Sequence, residues 1–119
     1  MAYLFTAAVA AQAITVSPLD VYVSETGGVY QVAFSFSTDW ASMSERKAVF
    51  QNRYGVREEV DITGGSCTLP ASCIMDGTLY VGAYGTDGSV VYPTRWASIY
   101  VHTGALGSVY GTERRVTDD

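Results

Sequence analysis

Residues 29–36 read VYQVAFSF, a stretch in which large apolar side chains alternate with small or polar ones. Successive side chains of a β-strand point to opposite faces of the sheet, so this period of two predicts a half-buried strand. Such a strand favours an all-β sandwich over most enzyme folds of this size. The face expected to turn inward consists of Tyr30, Val32, Phe34 and Phe36. The predicted neighbours of this face on other strands are Val49, Val81, Ile99 and Val101.

Other strand candidates recur at short, regular spacing with turn signals between them, which is the pattern of a sandwich or a barrel. The segments 47–53 with 56–62, and 78–84 with 90–94, are predicted to form hairpins. Residues 70–75 begin with proline and predict one short helical turn. The remaining predicted strands are residues 4–16 (one or two edge strands), 20–24, 66–69 and 97–101.

The composition limits both the size of the fold and the kind of partner. A chain of 119 residues, 48% of them hydrophobic, has enough material for one core but not for two. We therefore predict one β-sandwich domain over residues 1–112 and a polar tail over residues 113–119. The formal net charge is −5, and the basic residues between positions 46 and 57 are offset by Glu45, Glu58 and Glu59. No basic stripe is left to follow a phosphate backbone, which disfavours nucleic-acid binding.

The apolar run over residues 4–10 has two interpretations. Residues 11–13 (AQA) resemble a signal-peptidase site, but residues 1–3 lack the positive charge that a secretory signal requires. The run is also too short to cross a bilayer. We expect it to begin the folded domain as a strand, with a cleaved signal as the alternative. Because the apolar stretch over residues 4–14 lies at the chain end, we predict that a neighbouring subunit covers it.

Cys67 and Cys73 are six positions apart, and we expect both to be small buried thiols. A disulfide that closes a short loop stays open as an alternative, because spacing alone does not fix the geometry. His102 is the single histidine, so the chain offers few metal ligands at useful spacing. We predict no metal and no cofactor.

Catalytic chemistry has little support in the sequence. Nucleophilic catalysis requires a base beside the nucleophile, and His102 has no acidic residue within five positions. Glu58 and Glu59 are consecutive on a predicted strand, so their side chains point to opposite faces. We therefore predict that the protein is not an enzyme. The carboxylates better explained as turn formers are Asp39, Asp76 and Asp87.

Bulky and small residues near the strands have structural interpretations. Trp40 follows the strand over residues 29–36 and is predicted to fold back over the end of the sandwich. An exposed ring that stacks on a sugar is the alternative for Trp40. Gly82 and Gly85 flank Tyr84 and predict a bulge or a close approach of strands.

Three segments carry a resemblance to a known family. They are residues 30–36 with Asp39-Trp40 and KAVF at 47–50, CTLP at 67–70, and GTLYVGAYG at 77–85 with Pro93-Thr94. In this order they resemble a family of small prophage proteins from Gram-positive bacteria, over residues 20–104. The resemblance implies an antiparallel immunoglobulin-like β-sandwich, which forms the N-terminal module of upper-baseplate or tail-fibre proteins in that family.

The resemblance implies a structural assembly module of a phage tail or baseplate that works by protein–protein docking. The implied partners are phage structural proteins and further copies of the chain, without nucleic acid or membrane, in a virion assembled in the host cytoplasm. The alternatives are a carbohydrate-binding sandwich that uses exposed aromatic rings, and a secreted adhesin of the same fold. The candidate interaction surface is Tyr3, Leu4, Phe5, Tyr54, Tyr92 and Trp96.

Overall fold

The structure, a computed structural model, describes residues 3–23 and 30–103. Within these ranges the alternating segments form ten strands, and two single 3-10 turns span Thr38–Trp40 and Ala71–Cys73. The strands are β1 (Phe5–Ala10), β2 (Ala13–Ser17), β3 (Asp20–Val23), β4 (Gln31–Phe36), β5 (Glu45–Asn52), β6 (Arg57–Asp61), β7 (Ser66–Thr68), β8 (Gly77–Thr86), β9 (Val91–Pro93) and β10 (Ala97–Thr103).

Two sheets pack face to face around one core. The smaller sheet has the strand order β2-β1-β4-β7, and the larger has β3-β10-β8-β5-β6, with β9 paired to the far end of β8. Neighbouring strands are antiparallel except β1 with β4 and β10 with β3, which are parallel. The predicted all-β, immunoglobulin-like sandwich is confirmed. Most of its strand pairs are antiparallel, and only these two described pairs are parallel.

The inward face of β4 agrees with its alternation. Val32 and Phe34 are buried, and Tyr30 and Phe36 are half-buried against the same core. These side chains close the core from the smaller sheet, while aliphatic residues close it from the larger sheet. The predicted neighbours that belong to this core are Val81, Ile99 and Val101.

Val49 does not belong to the core, so that prediction is wrong. Strand β5 directs Ala48 and Phe50 inward, which turns Val49 to the opposite face of the larger sheet. All three residues are nevertheless buried, because other groups cover Val49 on the outer face. Because Ala48, Val49 and Phe50 are all apolar, the sequence of β5 does not indicate which of them face the core.

Strand β1 occupies the middle of the smaller sheet, between β2 and β4. Its inward side chains Phe5, Ala7 and Val9 are buried in the core of the same chain. The prediction of a strand in the N-terminal run is confirmed. The predicted edge position holds for β2 but is wrong for β1, because parallel pairing with β4 places β1 inside the sheet. The predicted cover by a neighbouring subunit is wrong for the inward side chains of β1, which this chain buries itself.

Trp40 closes one end of the sandwich, as predicted. Its side chain is fully buried, and its indole N–H donates a hydrogen bond to the Ala11 carbonyl at 2.8 Å. The ring packs against Phe36 and Tyr92, with centroid distances of 5.1 and 5.2 Å. The 3-10 turn that carries Trp40 follows β4 directly, which returns the ring over the core.

Gly85 leaves the space that the Trp40 ring occupies. A Cβ atom built on Gly85 lies only 2.9 Å from Cζ3 of Trp40. Strands β8 and β5 pair in continuous register through Gly82 and Gly85, so the predicted bulge is absent there. The glycines make room for tryptophan rings and not for a closer strand.

Most other local predictions agree with the structure. Both predicted hairpins form, as β5 with β6 and β8 with β9, and a 3-10 turn lies within residues 70–75. Cys67 and Cys73 are buried and unpaired, and burial raises the pKa of the Cys67 thiol to about 11. The predicted domain boundary at residue 112 and the tail over 113–119 lie outside the described residues.

Candidate binding face

The solvent side of the larger sheet carries most of the exposed aromatic surface described in the chain. Three of its strands contain an aliphatic–Tyr–aliphatic triplet: VYV at 21–23, LYV at 79–81 and IYV at 99–101. The aliphatic residues of each triplet are buried, so strand geometry directs each tyrosine outward. We call the resulting surface the outer aromatic face, and its members are Tyr22, Tyr80, Trp96, Tyr100 and His102.

One part of this face lies at the sheet edge where β3 pairs with β10. His102 packs between Tyr22 and Tyr100, with ring centroids 4.8 and 4.5 Å from its own. The Nε2 atom of His102 lies 2.9 Å from Oδ1 of Asp20. Parallel pairing of β3 with β10 brings these distant residues together. We call this group of Asp20, Tyr22, Tyr100 and His102 the edge cluster.

The second part of the face is built around Trp96, which precedes β10 and is 51% exposed. Its benzene edge lies against Gly82, where a built Cβ atom falls 3.3 Å from Cε3 of the ring. The Thr94 hydroxyl accepts a hydrogen bond from the Ala83 amide at 3.0 Å, which fixes the segment before Trp96 on β8. Gly82 therefore leaves space for the Trp96 ring on the outer face, as Gly85 leaves space for the Trp40 ring in the core.

Two shallow depressions adjoin Trp96. The first, of about 190 Å³, lies among Val49, Gly82, Tyr84, Thr94, Arg57, Ala83, Pro93 and Trp96. The second, of about 210 Å³, lies among Gln51, Tyr80 and Trp96. Trp96 is the lining residue that the two depressions share. We call Trp96 and these two depressions the tryptophan platform.

Polar groups border the tryptophan platform in a defined arrangement. Glu59 accepts a hydrogen bond from the Tyr84 hydroxyl at 2.6 Å and forms an ion pair with Arg57 at 2.9 Å. The Tyr84 hydrogen bond, followed by Arg57, holds the pKa of Glu59 below its usual range. The same hydrogen bond raises the pKa of Tyr84. The Gln51 carboxamide makes no hydrogen bond to any residue that the structure describes.

The charges on this face compensate one another. Lys47 lies 3.2 Å from Asp61, Arg57 is paired with Glu59, and Asp20 is paired with His102. Exposed ion pairs of this kind contribute little to stability. Their consequence is that Lys47 and Arg57, the cations of this face, are each already paired with a carboxylate.

The two edges of the larger sheet differ sharply in character. Edge strand β6 reads REEVD and has four charged residues out of five. Edge strand β3 reads DVYV and has one, Asp20, which is hydrogen-bonded to His102. Charged residues on an edge strand oppose the addition of another strand, and β3 lacks that protection.

The residues predicted as an interaction surface do not form one surface. Phe5 is buried and Leu4 packs against the core, so neither is available for docking. Tyr92 packs on the inner side against Trp40, whereas Trp96 lies on the outer face. Tyr3 and Tyr54 are exposed, Tyr3 beside the start of β1 and Tyr54 in the turn between β5 and β6. Of the six, Trp96 alone belongs to the outer aromatic face.

Tyr22, Tyr80 and Tyr100 were not among the predicted interaction residues, although the sequence contains a signal for them. In each aliphatic–Tyr–aliphatic triplet, the two aliphatic side chains lie on the buried side of the strand, so the tyrosine lies on the solvent side. The partner of His102 had no local signal, because Asp20 lies 82 positions away.

Metal-binding clusters and membrane-spanning helices are absent from the residues that the structure describes. No group of three or more His, Cys, Asp or Glu side chains among them has a geometry that would hold a metal ion. None of the helical segments in residues 3–23 and 30–103 is long and apolar enough to span a bilayer. No protein-family profile matches the chain, and no curated protein matches it.

Proposed function

We propose that this domain is a structural assembly module of a phage tail or baseplate, and that it docks a second copy of itself along the outer edge of β3. The biological role follows the resemblance of three sequence segments to prophage baseplate modules. The docking mode is supported by one observation above all, the contrast between β6, with four charged residues out of five, and β3, with one charged residue and an exposed tyrosine.

The backbone of β3 has hydrogen-bonding groups directed away from its own sheet. The Leu19 carbonyl accepts a hydrogen bond from the Tyr100 amide at 2.8 Å, on the side that faces β10. Backbone groups alternate in direction along a strand, so those of Asp20 and Tyr22 point to the outer side. No described strand pairs with that side. An added strand would satisfy these groups, as in other cases of β-strand addition.

Side chains next to this edge provide the remaining contact area. A stable interface buries about 800 Å² on each partner, more than four paired residues supply. Tyr22 is 70% exposed and Leu19 is 63% exposed, and Tyr100 lies beside them on β10. Tyrosine is enriched at the energetically dominant positions of protein interfaces. The edge cluster therefore extends the contact from backbone pairing to ring packing.

Net charge opposes this association at long range. Each chain carries −5, so two copies repel one another in dilute buffer. The one charged residue of β3, Asp20, already has a hydrogen-bond partner in His102, so the contact itself requires no ion pair between copies. We therefore expect salt to strengthen self-association by screening the repulsion.

Light scattering tests the proposal on the intact protein and on two matched variants. Tyr22→Lys places a charge on the β3 edge, where lysine blocks strand addition. Val90→Lys adds the same charge at another exposed apolar residue, beyond the opposite end of β8. We expect the wild type and Val90→Lys to rise from the 12.8 kDa monomer mass toward twice that value with concentration, and Tyr22→Lys to remain monomeric.

Two results contradict the proposal. One is a wild-type mass that stays at 12.8 kDa at every concentration and salt level. The other is equal self-association of wild type and Tyr22→Lys, which would place the contact elsewhere. Thermal melting of each variant checks that the exposed substitution has left the fold intact.

A further inference from the structure

We infer that the tryptophan platform is a binding site for a neutral oligosaccharide, with adjacent pyranose rings seated in the two depressions beside Trp96. This site is separate from the β3 edge and does not depend on self-association. Both depressions are smaller than the roughly 300–1,000 Å³ of sites for drug-sized ligands. Their size suits single ring units of a chain.

The Trp96 ring has the support that a stacking surface requires. Its benzene edge is seated on Gly82, and Thr94 holds the preceding segment against β8. About half of the side chain stays exposed. A pyranose ring has one or two faces formed by C–H groups, and these pack on an aromatic ring in the way that other apolar groups do. A ring positioned before binding loses little conformational entropy when the ligand arrives.

Polar groups beside Trp96 match the hydroxyl rim of a sugar. Gln51 offers a carboxamide donor and acceptor that no described residue uses, in the same depression as Trp96 and Tyr80. In the other depression, Arg57 retains donors beyond the one that it gives to Glu59. Small-molecule sites typically combine aromatic walls with a few such polar groups.

Charge distinguishes a neutral sugar from other ligands of this size. Arg57, the basic group that lines the platform, is paired with Glu59, and Lys47 on the same face is paired with Asp61. No unpaired cation among the residues that line the two depressions is available for a phosphate or a carboxylate ligand. A neutral, hydroxyl-rich ligand with apolar faces is the chemistry that remains.

Intrinsic fluorescence tests this inference, because the chain has two tryptophans in opposite environments. Trp40 is fully buried, whereas Trp96 is half-exposed, so a ligand over the platform shields only Trp96 from acrylamide quenching. The probes are maltohexaose, cellohexaose and chitohexaose, titrated into the intact protein. We expect at least one of them to protect Trp96 with a Kd below about 1 mM.

Variants locate the binding site. Trp96→Ala and Gln51→Ala should each weaken binding about tenfold or more, as measured by calorimetry. Trp96→Phe should retain part of the affinity, because it keeps an aromatic ring. Gly82→Ala should weaken binding by displacing the indole, since its Cβ atom would lie 3.3 Å from that ring. Tyr22→Lys should bind the sugar like the wild type, which separates this site from the β3 edge.

The inference is overturned if none of the three oligosaccharides binds with a Kd below about 1 mM. It is also overturned if Trp96→Ala binds them as tightly as the wild type. Neither result bears on self-association, which light scattering measures independently.

Discussion

Replacing Gly85 by alanine tests the account of how Trp40 closes the sandwich. The added Cβ atom would lie 2.9 Å from Cζ3 of Trp40 and 3.0 Å from Cγ of Met43. Carbon atoms pack best at about 3.5–4.0 Å, so both neighbours must retreat by at least ~0.5 Å. Met43 is flexible, but the Trp40 ring is held by its hydrogen bond to Ala11 and by its packed neighbours. Overpacking of this kind costs about 1–3 kcal/mol of the free energy of unfolding.

Gly82→Ala is the matched control, since it lies three residues away on the same strand. Its Cβ atom would also meet an indole, that of Trp96, but this ring is half-exposed and has room to move. Loss of chain entropy in the unfolded state favours alanine by about 0.4–1 kcal/mol at a compatible position. We therefore expect Gly82→Ala to leave stability nearly unchanged and Gly85→Ala to lower it.

Urea denaturation, followed by far-UV circular dichroism, measures both variants. We expect the midpoint of Gly85→Ala to fall with an unchanged slope, which indicates lower stability without a change in the surface exposed on unfolding. Equal midpoints for Gly85→Ala and Gly82→Ala would refute the reasoning. The buried Trp40 ring would then tolerate an added Cβ atom as readily as the half-exposed Trp96 ring does.

Other predictions concern the core, the thiols and the rim of the outer face. Phe34→Ala should lower the free energy of unfolding by about 3–5 kcal/mol, and a loss below about 1 kcal/mol in denaturation would contradict its place in the core. Thiol titration of the denatured, unreduced protein should find two free groups. In the native protein Cys67 should alkylate slowly near neutral pH, because burial raises its pKa to about 11. The pKa of Glu59 is lowered in the folded state, so its stabilising effect is complete above the ordinary carboxyl pKa of about 4.3 and disappears as pH falls through the lowered value. Glu59→Gln should remove that acid dependence from melting curves and lower the pKa of Tyr84 in ultraviolet titration; an unmoved Tyr84 pKa would contradict the hydrogen bond.

The strands were predictable from sequence wherever alternation was clear. In β4 and β10, apolar residues occupy every second position, and both strands lie where that pattern places them. The sequence predicted that β5 is a strand but not which of its side chains face the core, because Ala48, Val49 and Phe50 are all buried. A residue covered on the solvent face by other side chains carries the same apolar signal as one in the core.

The position of β1 required information that periodicity does not contain. Alternation identified the N-terminal run as a strand, but the choice between edge and centre depends on its pairing with β4, more than 20 positions away in sequence. The same limit applies to Gly82 and Gly85, whose partners Trp96 and Trp40 come from distant segments. The position of β1 and the function of the two glycines are therefore set by contacts between segments that are far apart in the sequence.

The candidate site was only partly predictable for a similar reason. Trp96 was expected on an interaction surface, and the structure places it on the outer aromatic face. Its neighbours Gln51 and Tyr80 come from β5 and β8, which are brought together by register and not by sequence proximity. The three aliphatic–Tyr–aliphatic triplets are a local signal, and they would have identified most of the face.

Residue-resolved amide hydrogen exchange at low and high protein concentration distinguishes docking along β3 from docking at the opposite edge of the sheet. We expect the outward amides of Asp20 and Tyr22 to exchange more slowly when the protein is concentrated. The amides of β6 (Arg57–Asp61), at the charged edge of the same sheet, should exchange at the same rate under both conditions. Slower exchange at β6 with no change at Asp20 and Tyr22 would contradict the account, because it would place the contact between copies at the opposite edge.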